Sequence, residues 1–288
     1  MQSPSLAVYG AAYKIVTYKD SDSVDVQTVA LNSVARFSEL FPLYQVEYDY
    51  LQGSVADADI KKRWDRAILD TKSYGDFTRY YFGELSRLRF MDEYWPCEMK
   101  EAATALNAKQ MLILSQLQTK VTLAQLKDAP GIVPITASCA APGTPTGTAV
   151  PASQLSADWS DATVKADKLA TAAGLKLDDF AKVSAYEFYG DFHRTVYAGE
   201  LALRDMGAER VSQYKVLMAA FPASPAPVVK IGTQPSDQNG VHVMFQDQFK
   251  QVFAIFKGLG SAKPSDHFTV NLKAKTVTNA NAGGLSFN

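Results

Sequence analysis

The stretch Tyr74-Gly-Asp-Phe-Thr-Arg79, running on to Met91, recurs later in the chain as Tyr189-Gly-Asp-Phe-His-Arg194, running on to Met206. Laid over each other without a gap, residues 74–91 and 189–206 agree at eight of eighteen positions. Unrelated windows of ordinary composition share about one. The Gly-Glu-Leu triplets at 83–85 and 199–201 also match, one residue out of register. Such self-similarity constrains the fold, because each copy has to form the same kind of local element. In the first copy Phe77, Tyr81, Leu85, Leu88 and Trp95 keep a spacing of mostly three or four, which predicts one apolar stripe along a helix from 74 to 95. Asp76 and Asp191 are expected in the first helical turn, where the positive end of the macrodipole favours a carboxylate. The Tyr-Gly before each permits a sharp chain entry.

Arg79, Arg87 and Arg89 fall mainly off the stripe, as do Arg194 and Arg204 in the second copy. Two accounts fit them. One is a solvated helix face with local ion pairs. The other is a pair of matching anion-binding edges, one per half. Lys61, Lys62, Arg63 and Arg66 form the most basic patch of the chain, on the side of a helix away from Ile60, Trp64, Ala67 and Ile68.

With 47% hydrophobic and 20% charged residues, the 288-residue chain can bury a substantial core. A net charge of −1 gives no general signal for nucleic acid or an anionic membrane, although a local groove could still hold a strand. Cys97 and Cys139 belong to no zinc spacing and are expected to stay reduced. The N-terminal residues lack a basic region and a long apolar run, and no stretch is long enough to span a bilayer. The expected location is the cytoplasm.

Along the chain, residues 5–19 alternate and predict a strand or arm. Val26, Val29, Ala30, Val34, Phe37 and Phe41 predict a helix up to Pro42. Tyr44, Val46, Tyr48 and Tyr50 alternate with Gln45, Glu47 and Asp49, which predicts a strand with one aromatic face. Residues 56–128 read as helical throughout, including short TLAQLKD at 122–128. Residues 130–158 are rich in Pro, Gly, Thr and Ala and predict a linker or long loop. A helix starting at Asp158 or Ser160 is expected to point Val164, Leu169 and Ala173 inward, and further helices run to Pro222. Beyond it, Asn239-Gly marks a hairpin turn, residues 248–260 lean to a helix, residues 267–279 read as one alternating strand, and 281–288 as an extended tail.

The fold class is therefore mainly α (α+β): a central helical body with extended or β segments at both ends. The implied division is an N-terminal arm with helix and strand (1–52), a helical half (53–129), the linker (130–158), a second helical half (159–222) and a β or extended C-terminal region (223–288).

Catalytic motifs are missing. There is no GxSxG, P-loop, GxGxxG or HExxH. His193, His242 and His267 lie in different elements, and only Asp266 beside His267 suggests half of an acid–base pair. No metal or cofactor is implied, and the reading leans against an enzyme. A helical body with terminal arms resembles the plan of filamentous virus coat proteins, an analogy of architecture. The Ala, Ser and Pro content is similar to that of the proline–alanine–serine-rich genome-associated proteins of some fungal viruses, a likeness that covers no motif. These resemblances imply a structural subunit that binds copies of itself, located in a virion, with Lys61, Lys62, Arg63, Arg66, Arg79, Arg87, Arg89, Arg194 and Arg204 as phosphate contacts. The alternatives are a cytoplasmic enzyme with its site between two helical halves, and a monomeric helical module that binds a protein partner.

Overall fold

The computed structural model describes residues 9–62, 66–87, 103, 105–118, 151–221 and 266–280. The chain is mainly α with a small antiparallel sheet, an α+β fold whose strands come from its two ends. By contact it divides into two compact units, each assembled from separated stretches. The first gathers the described parts of Met1–Leu85, Tyr197–Ala202 and Lys263–Gly283; the second gathers those of Ser86–Val196 and Leu203–Ala262. No helix among the described residues is long and apolar enough to cross a membrane.

The first unit is built on a sheet of order β1-β2-β3-β4, with β1 Ala12–Tyr18, β2 Ser23–Ala30, β3 His267–Asn271 and β4 Thr276–Asn279. The segment expected to be helical from Val26 is thus a strand up to Ala30. Val24, Val26 and Thr28 alternate inward and are buried. In so short a Val-rich run, helical and strand periods coincide, and β-branched side chains suit the pleated surface. Residues 267–279 form two strands and not one. The chain turns through Leu272–Lys275, with Asn271 Oδ1 accepting from Ala274 N–H at 2.7 Å and Lys275 in the left-handed region at φ 53°.

The tyrosine-rich run expected as a strand lies instead in helix α1, Leu40–Ser54. Its helical signal is Phe41, Tyr44, Tyr48 and Leu51, all half-buried and spaced three or four apart. Pro42, expected to stop a helix, sits in the first turn, where its missing N–H removes no bond. Phe37 anchors this end, with its ring 5.4 Å from Phe41, 5.2 Å from Tyr74 and 5.2 Å from Phe77. Residues 56–86 are not continuously helical: α2 spans Ala58–Lys62, a 3-10 turn covers Arg66–Asp70, and α3 runs Tyr74–Ser86 after a break closed by Thr71 Oγ1 donating to Ile68 O at 2.6 Å.

The second unit holds the larger core. Helix α4, Ala108–Gln116, lies in its middle, capped by Asn107 and Gln110 bonding reciprocally to each other's backbone N–H. Helix α5 runs Ala152–Ala172, beginning at Pro151 inside what reads as a linker. Its inward residues are Leu155, Trp159, Ala162, Ala166 and Ala170, so the expected inward set is wrong in part. Val164 is 55% exposed and Ala173 is exposed, while Leu169 is partly buried against the core. Small residues every fourth position read weakly as an apolar stripe, yet they let a helix approach its neighbour closely. Helices α6, Ala185–Ala198, and α7, Glu200–Ala220, are separated by Gly199 at φ 55°, and α7 is kinked at Gly207. Tyr214, Phe180, Phe188, Phe221, Met111 and Leu112 are fully buried here, each worth about 1.5–3 kcal/mol of transfer free energy.

The expected helix over 122–128, residues 130–150, the Asn239-Gly turn, the 248–260 helix, the 281–288 tail, both cysteines and residues 88–95 of the first copy lie outside the described residues.

Candidate functional site

Among the described residues, a dense polar cluster lies in the second copy of the repeated stretch. Asp191 is not in a first helical turn, contrary to the sequence reading. Helix α6 starts at Ala185, where Ser184 and Glu187 form a reciprocal cap with N–H···O distances of 3.0 Å. That cap sets Asp191 nearly two turns further in and aims it at the core. The Ser-x-x-Glu spacing was visible in the sequence and is the signal that would have placed it.

Asp191 is 1% exposed and holds three partners from its own chain. Arg194, one turn on, pairs with Oδ1. From α7, Arg210 donates to Oδ2 at 3.1 Å and the Tyr214 hydroxyl donates to Oδ2 at 2.5 Å. Arg210 also reaches Glu187 at 3.7 Å. Two guanidiniums thus face two carboxylates, and the formal charges cancel. Burial pushes the Tyr214 phenol well up, which keeps it a donor. A carboxylate held this way spends its lone pairs on its own chain. The cluster is a brace between α6 and α7, with the chemistry of an internal ion network.

Equivalent positions of the repeat have unlike surroundings. In α3, Asp76 is in the first turn as expected, bonded to Ser73 through Ser73 Oγ–H at 2.7 Å, and its contact with Arg79 is 3.5 Å. Both side chains are nearly half exposed, 46% and 44%. Arg194 is 14% exposed.

The remaining candidate cations divide by unit. In the first, Lys61 Nζ donates to Gln52 O at 2.8 Å while Gln52 Nε2 donates to Lys61 O at 3.2 Å. Arg66 is exposed, donates to Gln45 at 2.9 Å and lies 5.9 Å above the Tyr48 ring. Lys61 and Arg66 thus both bond to residues of α1, and Lys62 is the last residue of α2. In the second unit Arg204 is exposed on α7 and Arg87 is half-buried. Arg63 and Arg89 lie outside the described residues.

His267 takes another partner than the sequence suggested, and His242 lies outside the described residues. His267 Nε2 is 3.0 Å from Asp25 Oδ2 on β2, not paired with Asp266. This bond, with smaller contributions from Thr269 and Lys19, holds the Asp25 carboxyl below its usual range. Asp266 is buried and uses its backbone, its N–H donating to Glu200 Oε2 at 2.7 Å and its carbonyl accepting from Thr28 at 2.6 Å.

His193 is largely buried beside Phe192, and burial pulls its pKa down to about 4 from 6.5. The folded state therefore resists a proton that the unfolded chain accepts. This costs nothing above pH 6.5, grows as pH falls toward 4, and levels off below that. The full cost is about 3 kcal/mol. His193→Gln is expected to flatten the stability curve between pH 6.5 and 4 relative to the parent. Equal slopes in urea titrations of the two proteins would rule this out.

Among the described residues no group of three His, Cys, Asp or Glu could hold a metal ion. No protein-family model, curated protein or solved structure matches this chain.

Proposed function

We propose that this protein is a structural subunit that works by binding copies of itself, of the viral coat or nucleocapsid kind. The observation that carries the reading is helix α1. None of its fifteen residues is buried, and Leu40, Leu43, Val46 and Tyr50 are 56%, 67%, 69% and 64% exposed. Their spacing of three and four gathers them on one side of the helix. An exposed apolar stripe of this length marks an interaction surface. The polar cluster around Asp191 supports the same reading, because its best-placed chemical groups brace the fold. If nucleic acid is part of the assembly, Lys61 and Arg66 beside α1 are its contacts in the first unit. Arg194, tied to a buried carboxylate, is a poorer candidate than the sequence alone suggests.

The α1 stripe also suits a monomeric module that binds another protein, so the test has to separate the two. Light scattering on the purified chain, with the 260/280 nm absorbance ratio on the same peak, is expected to give a mass several times 31.4 kDa. A nucleic-acid ratio on that peak extends the reading to packaging, and a protein ratio confines it to self-association. A monomer at every concentration would refute it in favour of the binding module.

A further inference from the structure

The sheet of the first unit ends in β1 on one side and β4 on the other. The two edges differ. β4 has four residues, whereas β1 pairs with β2 without interruption over seven, Ala12 to Tyr18, and contains no Pro or Gly. Among the described residues no strand lies along the outer side of β1. Lys19 N–H donates to Ser23 O and Leu31 N–H donates to Ala11 O. The odd-numbered residues therefore turn their backbone groups toward β2, and the alternation of an antiparallel ladder aims those of Ala12, Lys14, Val16 and Tyr18 outward. Beyond Ala12 the strand is exposed on both faces, with only Lys14 half-buried. Val16 and Tyr18 are 42% and 75% exposed on the side of Val24 and Val26, and Tyr13 and Ile15 are 45% and 44% exposed on the other. Natural sheets blunt such an edge with Pro, a bulge or outward charge, because it is a template for another strand.

We propose that β1 pairs antiparallel with β1 of a second copy across a twofold axis at Val16, extending the four-stranded sheet to eight strands. This rests on the structural-subunit reading and gives it a surface. A second copy is the occupant because the strand complements itself. Each outward donor meets an outward acceptor of the same strand in its copy, the self-matching contact that a twofold dimer requires. The side chains agree. With Val16 opposite itself, Lys14 stands opposite Tyr18 and Lys19 opposite Tyr13, so no like charges face each other, while the Lys14 ammonium stays bonded to Thr28 Oγ1 at 2.7 Å and that of Lys19 stays 3.3 Å from Asp25.

Val16→Pro tests the pairing. The N–H it removes points outward, so the monomer loses no hydrogen bond, and proline is tolerated on a sheet edge. Sedimentation velocity of the full chain over a concentration series is expected to show the parent associating and Val16→Pro associating at least tenfold more weakly, with an unchanged thermal midpoint. A second variant, Val16→Cys with C97S and C139S, is expected to give a covalent dimer with a short bismaleimide, and it decides the matter if the proline variant fails to fold. A parent that associates, with Val16→Pro equal to it and no cross-link through position 16, overturns the edge pairing and leaves the subunit reading standing. A parent that stays monomeric throughout overturns both.

Discussion

Asp191→Ala is expected to destabilise the second unit by about 3–5 kcal/mol, whereas Asp76→Ala, at the matching position of the repeat, should cost the first unit about 1 kcal/mol or less. The chemistry removed is the same in both, a carboxylate three residues before an arginine. The surroundings decide the size. Asp191 is 1% exposed and holds Arg194, Arg210 and Tyr214. Taking it away removes the buried acceptor shared by Arg194, Arg210 and the Tyr214 phenol and leaves Arg210 only its 3.7 Å contact with Glu187, and an uncompensated buried charge is the expensive case. Asp76 is 46% exposed, so water replaces it around Arg79, and the loss is a helix-terminus contribution screened by solvent. Asp191→Asn keeps an acceptor for the tyrosine and should fall between. Urea unfolding, followed separately for each unit because two-state behaviour need not span both, gives the costs. Equal costs at the two positions would mean that the Asp191 network contributes no more than a surface pair.

The same contrast shows what could be read from the sequence. The helical class of both copies was legible, because Phe77, Tyr81 and Leu85 repeat at helical spacing whatever surrounds them. The start of α6 was legible too, through Ser184 and Glu187, but the shared Tyr-Gly-Asp motif drew attention four residues too far along, to Tyr189 instead of Ala185. That Asp191 faces inward was not legible. Its burial depends on Arg210 and Tyr214, which belong to a different helix and come into register only after Gly199 and Gly207 turn the chain. The strand and helix errors at 23–30 and 40–54 have another cause. Over seven or eight residues a Val- or Tyr-rich run satisfies both periods, and tertiary pairing chooses between them: β2 is fixed by β3, whose partner residues lie more than two hundred positions away. The open edge of β1 was beyond the sequence for the same reason, since an edge exists only once the order of all four strands is known.

The seat of that edge strand gives the second large effect. Gly10, at φ 76°, comes just before β1, and a Cβ placed on it would lie 2.4 Å from the Cβ of Ala198 at the end of α6. Gly10→Ala therefore meets two penalties. Holding an alanine in the left-handed region costs about 1–2 kcal/mol. Relieving the overlap requires backbone to move, because neither Cβ has a rotamer to change, and overpacking of this kind costs about 1–3 kcal/mol. The sum is about 3 kcal/mol for the first unit. The two parts can be separated by experiment. Ala198→Gly removes the atom in the way, so in Gly10→Ala/Ala198→Gly the overlap vanishes while the strained φ remains. The double variant should recover about 1–2 kcal/mol relative to the sum of the single changes, a coupling of the size found for residues in direct contact. Strict additivity would mean that backbone strain alone accounts for the glycine. Because β1 enters the sheet directly from this contact, Gly10→Ala is also expected to weaken association of the full chain, while Ala198→Gly should leave it nearly unchanged. Loss of association in Ala198→Gly alone would place the dependence on the helix end instead of on the strand that Gly10 positions.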